Sequence, residues 1–238
     1  MFVIRKVRNQ DLYRVTNSES GEIVGVFPTK KEAERVGAGI TGLNFKKILK
    51  SSYDKKHHNV DGYTVDKELS GRRVKTYVGD NGEVVMVNRG TQGLQDIITD
   101  MKLFVTPKKK LTKIKRFEYA KDMLEKIENK YGKENVNVVG HSLGAKIAET
   151  IGDEGNKNII TYNKPVLPFR GSTKKKNQVD IKTTYDPVSL LDRKGNKDIV
   201  LKSKTIDPLR EHSLAALNDY LDDDIQIGGK YLRKKSIR

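Results

Sequence analysis

Apolar and polar positions alternate along this chain in short bursts, and the period changes from one burst to the next. FVIRKV (2–7) and LYRVT (11–15) predict short strands, NSESGE (17–22) a turn, and IVGVF (23–27) a continuing strand. TKKEAERVGAGI (29–40) predicts a helix, with Thr29 as N-cap and Glu32 at capping-box spacing. This ββα unit is too small for a strong core of its own and is expected to pack on the rest. The predicted division is a basic appendage at 1–48 and a main domain at 49–238, with the polar stretch KSSYDKKHHNVDG (50–62) following the unit.

RRVKTYVG (72–79) and EVVMVN (83–88) flank DNG, a hairpin signal. DIITDMKLF (96–104) is amphipathic. RFEYAKDMLEKIENKYG (116–132) predicts a helix, because Phe117, Ala120, Leu124 and Ile127 recur at three- and four-residue spacing and Gly132 ends the run. NVNVVG (135–140) predicts a buried strand, LGAKIAETIGD (143–153) a helix, NIITYN (158–163) and QVDIKTTY (178–185) strands, and HSLAALNDYL (212–221) a last helix. Strands alternating with helices predict an α/β fold with a parallel or mixed sheet.

Composition narrows the picture. The 238 residues contain no cysteine, so disulfides and cysteine-ligated metals are excluded and the redox compartment stays open. The four histidines lack metal-ligand spacing. No window approaches a membrane span, and MFVIRKVRNQ has neither the apolar core nor the cleavage site of a signal peptide. The net charge of +16 favours an anionic contact: nucleic acid, a phospholipid surface or an acidic partner. KKKLTKIKR (108–116) holds six basic residues out of nine, without the interleaved aromatics that stack on single-stranded nucleic acid. A solvated lysine-rich surface is the plain alternative.

The chemistry points to VNVVGHSLGAK (136–146). Here Gly-x-Ser-x-Gly falls between a buried strand and a helix, the setting of the nucleophile elbow of α/β-hydrolases. The turn is so tight that side chains at the glycine positions would clash, and the helix N-terminus favours developing negative charge. A glycine-rich turn with a capping serine is the alternative. Ser142 needs a base. His141 adjoins it and would point elsewhere, and His57 and His58 sit in the polar stretch, which leaves His212 at the entry to the last helix. Asp186, ending a strand in TTYDPVSLL, lies between them in the order Ser, Asp, His used by this fold. Taken singly, Asp186 reads as an Asp-Pro turn former and His212 as a helix-entry residue. The backbone N–H of Leu143 is one expected oxyanion donor, and Thr91, in the turn after VVMVN, is the other.

VNRGTQGLQDIITDMKLF (87–104) resembles the Arg-Gly-Ser/Thr segment, lid and trailing Thr-Asp of the class 3, fungal-type lipases. The elbow resembles that family's Gly-His-Ser-Leu-Gly-Gly, and IITYNKP, YDPVSLL and EHSLAALNDY resemble its later segments in order, covering roughly 70–222. Ala145, Asn163 and Ser189 stand where the family has glycine, glycine and proline, and Ile97 where a lid tryptophan is common. The resemblance implies a lipid ester hydrolase without a cofactor, working through Ser142, Asp186 and His212 with Thr91 and Leu143 at the oxyanion. It implies a lid over 93–105 with Ile97, Ile98, Leu103 and Phe104 as its apolar face. The adjoining Lys108, Lys109, Lys110, Lys113, Lys115 and Arg116 are expected to dock on anionic phospholipid headgroups, each contributing about 1 kcal/mol. IRKVRNQDLYRV and TKKEAERV resemble short basic modules in proteins of large DNA viruses. Two other functions fit the residues: a small-ester esterase or acyltransferase, and a catalytically silent nucleic-acid- or membrane-binding protein on a lipase-like scaffold, such as a basic virion structural protein.

Overall fold

The computed structural model describes residues 2–7, 12–17, 23–27, 40–60, 62–80, 82–91, 115–155, 157–165, 178–187, 189, 199–203, 205–220 and 226–227. The predicted helix at 29–40 (except Ile40), the stretch 96–104 and the candidates Ile97, Ile98, Leu103, Phe104, Lys108, Lys109, Lys110 and Lys113 lie outside them. Three short strands, β1 (Phe2–Lys6), β2 (Tyr13–Asn17) and β3 (Ile23–Phe27), form an antiparallel meander.

The main sheet has seven strands. They are β5 (Tyr63–Asp66), β6 (Val74–Gly79), β7 (Val84–Asn88), β8 (Val136–His141), β9 (Asn158–Tyr162), β10 (Gln178–Thr183) and β11 (Ile199–Leu201). Their spatial order is β11-β10-β9-β8-β7-β6-β5; pairing is parallel from β7 to β11 and antiparallel from β5 to β7. This mixed, mostly parallel sheet with helices against it is the α/β architecture that the alternation of strands and helices predicted. The two-residue strands β4 (Ile40–Thr41) and β12 (Gln226–Ile227) pair with each other.

Each central strand is buried on both faces, so its side chains alternate between two cores. Val85, Val87, Val139 and Ile160 join Phe45, Ile48 and Leu49 of helix α1 (Gly42–Ser52). Val84, Met86 and Val138 join Phe117, Leu124 and Ile127 of helix α2 (Lys115–Tyr131) and Ile147 and Ile151 of helix α3 (Leu143–Glu154). The sequence did not lead us to expect α1. Its apolar side chains recur at helical spacing, but its last three residues fall in the polar stretch at 50–62. The expected division at 48/49 falls inside α1, whose Phe45, Ile48 and Leu49 enter the main core. The short strands β5 and β11 were also unanticipated. The predicted last helix, 212–221, is found as α5 (Leu214–Tyr220), and a separate short helix that the sequence does not announce, α4 (Pro208–His212), precedes it. Ser213 makes the break: its Oγ donates to the Arg210 carbonyl and accepts the Ala215 N–H.

Two buried polar groups bear on stability and position. The Lys75 ammonium, nearly sealed from solvent, donates to the carbonyls of Ser51, Asp54 and Lys56 at 3.1, 2.8 and 2.7 Å. It thereby caps the end of α1 and fixes the residues that follow. Glu83, at the opposite end of β7 from the site below, accepts from the Tyr63 hydroxyl and the Asn137 amide at 2.7 Å each. Burial outweighs the Tyr63 bond and pushes its carboxyl up from 4.5 to about 7. The native state therefore holds this proton more tightly than the unfolded chain. Stability is expected to fall as pH rises from about 4.5 to about 7, and Glu83→Gln to remove that slope, read from urea midpoints across the range.

A buried ionic cluster ties α3 to the sheet. Lys164 donates to Glu149 Oε1 and Asp180 Oδ2, both at 2.9 Å, and Lys146 pairs with Glu149 Oε2 at 2.5 Å. Gln178 and Thr161 donate to Asp180 Oδ1.

Candidate active site

Four chain segments meet at the C-terminal ends of the parallel strands, where ligands bind in α/β sheets. Strand β8 ends at His141, and Ser142 turns the chain directly into α3. Ser142 sits at φ 53° and ψ −129°, a region that L-residues rarely enter. The flanking glycines permit the turn. A Cβ on Gly140 would lie 2.2 Å from the Gly144 carbonyl oxygen, and one on Gly144 would lie 2.0 Å from the Asn88 carbonyl oxygen. The motif is therefore a steric necessity of strand, turn and helix packed against β7.

His212 Nε2 lies 2.9 Å from Ser142 Oγ, and His212 Nδ1 lies 2.6 Å from Asp186 Oδ1. Asp186 Oδ2 accepts the Ser189 N–H at 2.8 Å. Ser142, Asp186 and His212 are all buried. A carboxylate holding Nδ1–H leaves Nε2 as the acceptor facing the serine, the arrangement that lets imidazole take a hydroxyl proton. The structure thus brings together all three residues singled out from the sequence.

The turn after β7 lies alongside. A Cβ on Gly90 would meet Ser142 Cβ at 2.9 Å and the Tyr53 hydroxyl at 2.8 Å. Thr91 follows, and Leu143 opens α3, where the first N–H groups have no helical acceptor. Arg116 was expected on a membrane-facing run, but its half-buried guanidinium turns inward, donating to the Arg89 carbonyl and, at 3.2 Å, to Thr91 Oγ1. The physical reason is its place in the first turn of α2, beside two oxygens of the 89–91 turn. Lys115 is exposed.

Several positioning side chains escaped the sequence reading. Asn163, at φ 45°, donates from Nδ2 to the Glu211 carbonyl at 2.7 Å and accepts the Thr183 N–H at 3.1 Å. Thr183 Oγ1 donates to the same carbonyl at 2.9 Å, so β9 and β10 jointly hold the residue before His212. The left-handed backbone accounts for asparagine at a position where the resembling family has glycine. Tyr53 reaches in from the end of α1. Its hydroxyl accepts the Gly90 N–H at 2.6 Å and lies 2.7 Å from His141 Nδ1, while Arg89 stacks on its ring at 4.8 Å. Burial pushes the Tyr53 hydroxyl up to about 12. Burial, then the neighbouring His212, pushes His141 down to about 3. Among the described residues there is no cluster of metal-ligating side chains and no helix long and apolar enough to cross a membrane.

No protein-family model and no curated protein matches the chain. Among solved structures, the chain is similar to the Rhizomucor miehei lipase in its propeptide complex, at 12% identity over 90% of this chain and 88% of that one, with a TM-score of 0.44. A Penicillium expansum triacylglycerol lipase matches at 15% identity over 66% of this chain and 76% of its own, TM-score 0.42. A Rhizopus microsporus var. chinensis lipase matches at 16% over 74% and 76%, also at 0.42. At such low similarity the chemistry of this chain rests on its own residues.

Proposed function

We propose that this chain is a serine hydrolase of lipid esters, working through a covalent acyl-enzyme. One observation carries the reading: a serine held at positive φ, bonded to a histidine that is bonded in turn to a buried carboxylate. Ser142 Oγ attacks the ester carbonyl carbon as its proton passes to His212 Nε2. The carbonyl oxygen becomes an alkoxide, held by the N–H groups of Leu143 and Thr91. As the carbonyl re-forms, the ester C–O bond breaks and the leaving alcohol takes the proton from His212. Water then repeats the sequence on the acyl-enzyme and frees the acid. Asp186 keeps Nδ1 protonated throughout and stabilises the imidazolium.

The choice of lipid is supported by the five segments that resemble class 3 lipases and by the apolar lid they imply. The basic run beside that lid supports an anionic phospholipid surface over a neutral one. The experiment is intact-mass detection of a fluorophosphonate adduct, in detergent and on phosphatidylserine vesicles. Wild type is expected to gain one adduct and Ser142→Ala none. An inert wild type under both conditions would overturn the reading, and the +16 charge would then favour the binding-protein alternative, tested by salt-sensitive DNA retention.

A further inference from the structure

His141 Nε2 lies 2.9 Å from the His212 carbonyl oxygen, so a continuous path runs from the Gly90 amide through Tyr53 and His141 to the backbone of His212. Its polarity is fixed by its two ends. The Gly90 N–H can only donate, so Tyr53 accepts there and its single proton must go to His141 Nδ1. The His212 carbonyl can only accept, so His141 carries its proton on Nε2. The His141 ring is further held by stacking on Tyr162, with centroids 5.2 Å apart. It also sits 5.3 Å from the ring of His212.

We propose that Tyr53 is a positioning residue of the hydrolytic site, resting on the reading above. One hydroxyl fixes the turn that carries Thr91 and, through neutral His141, the residue that serves as base. The neutral state matters. His212 becomes a cation each time it takes a proton, and a second imidazolium at this distance would oppose it. The Tyr53 O–H occupies the one nitrogen on which His141 could become charged. Lys75 extends the device, since it clamps the carbonyls on either side of Tyr53.

The test is Tyr53→Phe, which keeps the ring and deletes the hydroxyl. With p-nitrophenyl butyrate, kcat is expected to fall about 10- to 100-fold and KM to change less than about twofold. Nitrogen NMR of wild-type His141 is expected to show Nε2 protonated and Nδ1 bare, with the Nδ1 signal displaced in the variant. A kcat within about twofold of wild type, or a loss confined to KM, would overturn the proposal. So would a proton on Nδ1 of wild-type His141, which also decides the matter if Tyr53→Phe does not fold. A wild type inert to fluorophosphonate overturns the hydrolase reading and this role with it, and is thereby told apart from an active wild type whose Tyr53→Phe variant is unimpaired.

Discussion

Asp186→Asn is expected to fold normally and to turn over esters about 10⁴-fold more slowly. The carboxylate has two donors to satisfy: His212 N–H at one oxygen and Ser189 N–H at the other. Asparagine offers one oxygen and one NH₂. The Ser189 backbone can only donate, so the oxygen goes there and the NH₂ faces His212 Nδ1. That nitrogen must then accept, and the ring proton moves to Nε2, where it points at Ser142 and blocks the base. Because the variant differs by one atom type in a sealed site, kcat should carry nearly all the loss and thermal stability should change little. A loss below about tenfold would mean that Asp186 does not set the tautomer.

Lys164→Met is expected to cost about 3–5 kcal/mol of stability at neutral pH, without touching Ser142, Asp186 or His212. Glu149 and Asp180 would be left buried with their shared cation gone. Burial alone raises the Glu149 carboxyl, but Lys164 and Lys146 more than reverse it and hold it well below the ordinary range. Burial likewise lowers the Lys164 ammonium, and Asp180 and Glu149 override it, so that it stays charged far above neutrality. The sign follows. A depressed carboxyl contributes stability above its unfolded value of 4.5, and that stability is lost as pH falls through the lower folded value. In the variant Glu149 loses the larger of the two cationic influences on it and its carboxyl moves back up, so the gap to wild type should narrow as pH drops from 7 towards 4. Urea midpoints at both ends of that range check it; a gap independent of pH would assign the loss to packing.

The elbow was legible because its constraint is local: two glycines, one serine and a short apolar strand force a single backbone course. The order Ser142, Asp186, His212 was legible from the chain alone: Ser142 lies in the elbow, Asp186 in the turn after β10, and His212 just ahead of the predicted last helix. Tyr53 was not legible. It lies in a polar stretch, and its role comes from Lys75, 22 positions further on, pulling that stretch against β6. Asn163 was seen as a departure from glycine, but its grip on the Glu211 carbonyl arises only when α4 docks. Arg116 was assigned by its neighbours in a run of charge, whereas its own helix turn decides where it points. Local sterics read directly from the sequence; side chains whose partners are tens of residues away do not.

The pairing of β4 with β12 sets residues 40–41 directly beside 226–227. A unit whose entry and exit meet can be handled as a cassette. Its ends could be joined by a short linker and new ends opened between β6 and β7, or the whole unit could be spliced into a loop of a host protein. The Ser142, His212 and Asp186 constellation at the C-terminal ends of the parallel strands would travel with it.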